Sequence, residues 1–209
     1  MSGYHVPSGY GEAELIEKRS RFIGRVWPVD NEDEALQYIK KMREKHWDAA
    51  HNVYCYIIRD GGIMRFSDDG EPQGTSGMPV LDLFRSEELF NFCCVITRYF
   101  GGVLLGKGGL VRAYTQSAAL ALNAAGISVI RLWRRLVITC DYSKFERVMS
   151  ILHSCGGIVE STDYGTAVTL TTFIDDEEAE AFSAQLIDLT AGTVVPLAAG
   201  EKYMPIKIR

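Results

Sequence analysis

The sequence has no long hydrophobic run, and its first residues do not resemble a secretion signal. No stretch approaches the roughly 18 consecutive apolar residues of a membrane-spanning helix. Residues 1–8 lack a basic segment followed by an apolar one. We therefore expect a cytoplasmic protein that makes no contact with a membrane.

Cysteine and histidine are sparse, and neither is arranged as a metal site. The five cysteines contain no C-x-x-C pair and are odd in number, so we expect reduced thiols. Cys93 and Cys94 are neighbours in an apolar run, where a strand would direct their side chains to opposite faces. The four histidines are scattered. The sequence thus predicts no metal and no cofactor.

Positive charge is not in excess either. The formal net charge of −5 and the pI near 5.4 give no electrostatic footprint for nucleic acid over the whole molecule. Any such contact must use a local patch. With 47% hydrophobic and 23% charged residues, the chain has the composition of a globular protein, and 209 residues suit one large or two ordinary domains.

The first part of the chain predicts a mixed domain of strands and helices. We expect strands over 12–18, 21–29, 52–59, 63–67 and 92–100, and helices over 31–46, from near Thr75, and over 109–125. Two helices should bury a stripe, formed in the first by Ala35, Leu36, Ile39 and Met42, and in the last by Leu110, Tyr114, Ala118, Ala121 and Ala125. The small residues of the last helix imply close packing against a sheet.

The pattern changes near residues 127–132. From there we expect a strand over 136–141, a helix over 143–154, strands over 158–162 and 167–174, a helix over 176–190 and a strand over 193–198. This order is β-α-β-β-α-β. The sequence therefore predicts an α+β protein with two domains, 1–130 and 131–209.

A glycine-rich segment, residues 98–114, joins a predicted strand to a predicted helix. Its glycines are Gly101, Gly102, Gly106, Gly108 and Gly109. The backbone N–H groups of the last three, with Arg112 from the helix, are suited to hold a phosphate of RNA or of a small ligand. The alternative is that the glycines only allow a sharp turn and close packing of the helix. Both interpretations stay open from the sequence.

The same segment nearly matches a nucleotide-binding P-loop. Gly101-x4-Gly106-Lys107 has the P-loop spacing, but Gly108 stands where a Ser or Thr hydroxyl must bind magnesium. We therefore do not expect ATP hydrolysis by a P-loop mechanism.

A second polar loop, residues 68–79, brings together the carboxylates Asp68, Asp69 and Glu71. Such a group can bind a cation or act as a general base, although polar Asp-Gly turns also occur without function. We favour contact between the two loops, with Arg98 and Arg112 pairing with these carboxylates in one site of mixed charge.

Aromatic and basic residues around the motifs allow two interpretations. Tyr99, Phe100 and Tyr114 have the chemistry to stack nucleobases. We expect Phe100 and Tyr114 in the core and leave Tyr99 open. Another basic group, Arg131, Arg134 and Arg135 beside Trp133, fits either an RNA contact or a solvated linker.

Residues 66–79 (FSDDGEPQGTSGMP) and 98–114 (RYFGGVLLGKGGLVRAY) together resemble the two motifs of the IMPACT/YigZ family. The resemblance covers nearly the whole chain. It implies an N-terminal α/β sandwich similar to the second domain of a small-subunit ribosomal protein, and a C-terminal ferredoxin-like domain similar to the last domain of elongation factor G. It further implies a link to translation, since eukaryotic IMPACT competes for a protein partner in the amino-acid-starvation kinase pathway.

These observations predict a non-enzymatic binding protein that acts on translation by contacting RNA, the ribosome or a translation-linked protein partner. The alternative is an enzyme acting on a phosphorylated small molecule or nucleotide at the glycine-rich loop. The expected contact residues are Asp68, Asp69, Glu71, Gln73, Thr75, Arg98, Tyr99, Gly101, Gly102, Gly106, Gly108, Gly109 and Arg112. We predict no catalytic residue, and the sequence leaves the oligomeric state open.

Overall fold

The computed structural model describes residues 3–208. They form two compact units, one of residues 4–129 with 205–208 and one of residues 130–204 with Gly3. The division falls within two strands, between residues 129 and 130 and between residues 204 and 205. Within the first unit, the Ile208 N–H donates to the Ile127 carbonyl at 2.8 Å.

The first unit is built from six strands and three helices. They are β1 (Tyr4–Pro7), β2 (Gly11–Glu17), β3 (Ser20–Pro28), α1 (Glu32–Lys45), β4 (His51–Ile58), β5 (Ile63–Ser67), α2 (Gly77–Ser86), β6 (Phe92–Tyr99) and α3 (Gly106–Ala125). Asn31 caps α1 by accepting a hydrogen bond from the Glu34 N–H, as the sequence predicts.

Five of these strands form an antiparallel sheet in the order β2-β3-β6-β4-β5. Helices α2 and α3 bury their apolar residues on one face, and α1 packs on the other. Cys94 lies in the first of these cores and Cys93 in the second, which confirms the prediction of opposite faces.

Helix α3 lies unusually close to the edge of this sheet. Its predicted stripe of Leu110, Tyr114, Ala118, Ala121 and Ala125 is buried. A Cβ added to Gly24 of β3 would lie 2.5 Å from the Ser117 carbonyl oxygen. Since atoms cannot approach so closely, the sheet needs glycine there, and the prediction of close packing is confirmed.

The second unit follows the predicted β-α-β-β-α-β order. Its elements are β7 (Ile127–Cys140), α4 (Tyr142–Ser154), β8 (Ile158–Tyr164), β9 (Val168–Asp175), α5 (Ala179–Leu189) and β10 (Leu197–Lys207). The strands are ordered β10-β7-β9-β8, so the first and third are neighbours at the centre. This is a ferredoxin-like arrangement, and the α+β fold class is confirmed.

Three details of the sequence prediction are wrong. The last strand is β10, not 193–198, because the Thr190 hydroxyl accepts the Val194 N–H and holds that segment in a turn. Strand β7 begins at Ile127, so Arg131, Arg134 and Arg135 lie on a strand and not in a linker. Leu36 is 47% exposed, since only the other three residues of its stripe face the sheet.

None of the helices in the described part of the chain combines the length and apolar character needed to span a membrane.

Candidate functional site

The two motif loops meet at one end of the first sheet. The loop after β5 leads into α2, the loop after β6 leads into α3, and both helices cover the same face. Between the loops lies a cavity of about 490 Å³. It is lined by Ala50, His51, Gly70, Glu71, Pro72, Arg98, Phe100, Leu104, Leu105, Gly106, Lys107 and Leu110. Residues distant in sequence thus form one concave surface.

A buried ion pair forms the floor of this cavity. Arg98 Nη1 donates to Glu71 Oε1 at 2.5 Å, and these residues are only 5% and 8% exposed. The Tyr114 hydroxyl donates to the same oxygen at 2.7 Å. Burial and the Glu71 carboxylate raise the pKa of Tyr114. The predicted pairing of Arg98 with the first loop is confirmed, and so is the core position of Tyr114.

Arg98 also contacts residues of β3 and of the second loop. Nη2 contacts the Ser20 hydroxyl at 3.4 Å, and that hydroxyl also accepts the Gly101 N–H. The guanidinium carbon lies 5.3 Å from the ring centre of Phe22 and 5.6 Å from that of Phe100. Nε has no hydrogen-bond partner in the described chain. Arg98 is therefore held rigidly while one of its donors stays unused.

His51 is a cavity residue that the sequence did not single out. Its Nδ1 lies 2.8 Å from the Asp69 carbonyl oxygen, which can only accept, so Nδ1 carries a hydrogen. Nε2 lies 3.7 Å from Glu71 Oε1, too far for a hydrogen bond. In the neutral ring, Nε2 therefore presents an acceptor lone pair.

Asp68 stabilises the start of α2. One oxygen accepts the N–H groups of Ser76 and Gly77 and the Ser76 hydroxyl, and the other accepts the Gly74 N–H. Burial opposes ionisation, but these donors outweigh it and lower the pKa of Asp68. Asp68 thus acts as a cap, although the sequence placed it among the contact residues.

Asp69 also has structural partners, so the three carboxylates do not converge. Its side chain accepts from Arg43 and from the Asn52 N–H, each at 2.7 Å. Thr75 is buried and donates to the Pro72 carbonyl, whereas Gln73 is exposed. Among residues 3–208 no group of His, Cys, Asp and Glu is arranged to hold a metal ion.

The glycines of the second loop have different structural roles. Gly101 packs on the backbone of Arg19, and Gly102 and Gly106 adopt φ of 82° and 72°, so all three are required by the fold. Gly109 would contact the Leu105 side chain if it had a Cβ. Gly108 lies in open space, and no steric reason excludes a side chain there.

Helix α3 begins three residues earlier than the sequence predicts. Gly106 and Lys107 start it, no side chain caps it, and its first turn contains no acidic residue. The first N–H groups of a helix have no partner within the helix and carry the positive end of its dipole. This end of α3 opens beside the cavity, at Gly106 and Lys107.

Arg112 does not pair with the carboxylates of the first loop. It is exposed and lines a second, smaller cavity of about 140 Å³ with Glu17, Lys18, Gly109 and Gln116. It lies two residues before the buried Tyr114 in α3, so its side chain points to the opposite side of the helix, away from the core. The predicted ion pair with Arg112 is therefore wrong.

The aromatic residues of the second loop divide between core and surface. Phe100 is 51% exposed, so its predicted core position is wrong, because β6 ends at Tyr99 and the next side chain leaves the sheet. The Tyr99 hydroxyl donates to Asp48 and bonds His46 Nδ1. Arg25 donates to the other nitrogen of His46, and burial with this cation lowers the pKa of His46.

Two exposed apolar residues, Trp47 and Leu104, escaped the sequence prediction. Trp47 is 82% exposed and adjoins Asp48, the partner of Tyr99. Leu104 is 83% exposed. The sequence does contain a signal for the positive charge around the second loop, because residues 89–140 include six basic residues and no acidic one.

The basic group of β7 is neutralised. Arg131, Arg134 and Arg135 pair with Asp175, Asp176 and Glu160, respectively. Trp133 beside them is buried. The three arginines are therefore less available for a phosphate than the sequence suggested.

Comparison with known proteins identifies the family. A family model described as the Impact N-terminal domain matches residues 18–122, and one described as a domain of unknown function, DUF1949, matches residues 138–193. YvyE of Bacillus subtilis, an IMPACT family member, is 35% identical over 92% of this chain and 89% of its own. The chain belongs to the IMPACT family.

Other IMPACT proteins are similar over different extents. YigZ of Escherichia coli is 32% identical, covering 88% of this chain and 92% of its own. Protein IMPACT of Rattus norvegicus is 32% identical over 48% of this chain, which corresponds to 32% of the rat protein. The crystal structure of a hypothetical protein matches 96% of this chain and 98% of its own, with 30% identity and a TM-score of 0.59.

The Impact N-terminal match contains the whole cavity. Every cavity residue lies between Ala50 and Leu110, within residues 18–122. The ion pair of Glu71 and Arg98 and the start of α3 are thus parts of the IMPACT domain.

Proposed function

We propose that this IMPACT-family chain acts on translation by contacting RNA through the surface around the cavity. We call this surface the loop face and define it by Phe100, Leu104, Lys107 and Arg112, with Lys18 and Arg19 beside them. The main support is the combination of unpaired cations and the exposed ring of Phe100 at the start of a helix that lacks a cap. Cations bind the phosphates of a nucleic acid, and an exposed ring can stack one of its bases.

The charge of the loop face favours RNA. Lys18, Arg19, Lys107 and Arg112 make no ion pair with any described residue, whereas the arginines of β7 are paired. Arg19 lies against the glycine loop, since its backbone contacts Gly101. A protein with a net charge of −5 thus keeps a local basic patch, as phosphate contacts require.

The enzyme alternative has weaker support. The cavity has the size of a small-molecule site, and the His51 side chain lines it. However, the carboxylates are occupied: Asp68 caps α2, Asp69 holds Arg43, and Glu71 pairs with Arg98. A screen of phosphorylated metabolites by thermal shift, with and without magnesium, tests this alternative, since a ligand at 100 times its Kd adds about 2.7 kcal/mol.

The proposal is tested with structured RNA and with ribosomal subunits at physiological salt. We expect both to bind the wild-type chain, and Lys107→Glu with Arg112→Glu to weaken binding about tenfold or more. The matched control is Lys41→Glu with Lys202→Glu, which makes the same change of charge at two exposed lysines of α1 and β10. If the wild-type chain binds neither ligand, or if both double variants weaken binding equally, the proposal is wrong.

A further inference from the structure

The wall of the cavity contains a flat aromatic surface. Phe100 is 51% exposed, and the Arg98 guanidinium lies 5.6 Å from its ring centre. Leu104, Leu105 and Leu110 complete an apolar wall. A half-exposed ring backed by a cation is suited to stack a flat, polarisable group, and a nucleobase is such a group.

The floor of the cavity offers both kinds of hydrogen-bonding group. Glu71 uses only Oε1 for Arg98 and Tyr114, which leaves Oε2 without a hydrogen bond to residues 3–208. In the neutral His51 ring Nε2 is an acceptor, and the buried Nε of Arg98 is a donor that has no partner among residues 3–208. Unsatisfied groups of both kinds indicate a ligand whose edge has donors and acceptors, as a base has.

The rim of the cavity is suited to a phosphate. The first turn of α3 presents N–H groups that no side chain caps, with Lys107 among them. Gly108 leaves open space where a side chain would otherwise stand. An anion at this place would be stabilised by the N–H groups, the helix dipole and the lysine together.

We infer that the cavity binds a single nucleotide unit of RNA, with its base on Phe100 and its phosphate at the start of α3. This inference rests on the proposed RNA contact and narrows it to one occupant. This orientation suits the groups present, because base amino and imino groups can donate to Oε2 of Glu71 whereas a phosphate is attracted to Lys107. A nucleotide in a paired helix cannot enter, so the chain should prefer single strands, loops or ends.

The test compares two octamers of equal charge, octaadenylate and an octamer of abasic ribose phosphates, by fluorescence anisotropy at physiological salt. We expect the wild-type chain to bind octaadenylate about tenfold more tightly, which is within the range for stacking one base. Phe100→Ala should make the two affinities equal within about twofold. Phe100→Tyr keeps the ring and should restore the preference, and unchanged thermal unfolding shows that the variants fold.

The outcomes separate this inference from the proposed function. If the chain binds both octamers equally, the nucleotide site is wrong while the RNA contact stands. If it binds neither octamer and no structured RNA, the proposed function is wrong, and the inference with it. Free adenosine monophosphate should compete only at concentrations about 100-fold higher, because it lacks the neighbouring phosphates. Tighter binding of the free nucleotide than of octaadenylate would overturn RNA as the occupant.

Discussion

The loop between β5 and α2 and the loop between β6 and α3 lie on the same cavity, but they use their polar groups differently. In the first, Asp68 caps the helix and Glu71 is paired and buried. In the second, the helix has no side-chain cap, Lys107 makes no ion pair with a described residue, and Leu104 is exposed. The polar groups of the first loop thus have partners within the fold, whereas several groups of the second loop have none among the described residues.

This difference suggests that the first loop stabilises the fold and that the second loop contacts a ligand. A polar group that already has its partners stabilises the fold, whereas an open donor, cation or ring is free to bind something else. We therefore expect changes to the polar side chains of the first loop to affect mainly the free energy of unfolding, and changes to the exposed side chains of the second loop to affect mainly binding.

The largest effect is expected from Glu71→Gln, which leaves Arg98 buried without a counter-ion. Removing one partner of a buried ion pair typically costs about 3–5 kcal/mol. Urea unfolding at neutral pH measures this loss. The control is Glu14→Gln, which breaks the exposed pair with Arg21 and should cost less than about 1 kcal/mol. Similar losses in the two variants would show that the floor pair does not support the site.

Two glycines of the second loop should respond in opposite ways to alanine. In Gly101→Ala the new Cβ overlaps the Arg19 backbone, so we expect a loss of about 1–3 kcal/mol. Gly108→Ala enters open space in a helical turn and should be neutral or stabilising by up to about 1 kcal/mol. Thermal unfolding of the two variants distinguishes them. A comparable loss in Gly108→Ala would mean that this position, too, is structural.

Asp68→Asn should cost about 1 kcal/mol at neutral pH, because the cap of α2 loses its charge. The pKa of Asp68 is lower in the folded state. Its stabilisation is therefore complete above the unfolded pKa, near 4, and is lost as the pH falls through the lower folded value. Urea unfolding from pH 7 down to pH 2 should show the variant and wild type converging. A difference that persists at the lowest pH would contradict the charge-based cap.

The smallest effect is expected at Trp47, which is 82% exposed and lies four residues before the cavity residue His51. Trp27 and Trp133 are buried, so ligand-dependent changes in tryptophan emission should come from Trp47. We expect RNA to quench this emission, and Trp47→Phe to remove the quenching while weakening binding only a few-fold. Quenching that survives the substitution would place the RNA elsewhere.

The sequence predicts the fold better than the site. Helical spacing identified the buried stripe of α3, and the capping pair of Asn31 and Glu34 located α1. Periodicity failed where tertiary contacts decide the structure. Val194 and Val195 have high strand propensity, yet the Thr190 hydroxyl holds the segment in a turn.

The chemistry of the site could be predicted only in part. The opposite charges of Glu71 and Arg98 suggested a pairing between the motifs, but Arg112 carries the same charge and faces solvent. Their charge alone does not distinguish these arginines, because the difference lies in the face each occupies: Arg98 is buried on β6, and Arg112 lies on the exposed side of α3. His51 was missed since its role depends on the Asp69 carbonyl, a backbone group without a sequence signal.

The most direct test of the RNA contact is cross-linking of single-stranded RNA containing 4-thiouridine, followed by mass spectrometric mapping of the linked peptides. The account predicts cross-links on the loop face, in residues 98–112, and also at Trp47. It also predicts their loss when Lys107→Glu is combined with Arg112→Glu, and their retention in the control with Lys41→Glu and Lys202→Glu. Cross-links confined to residues 130–204, or equal in both double variants, would contradict it.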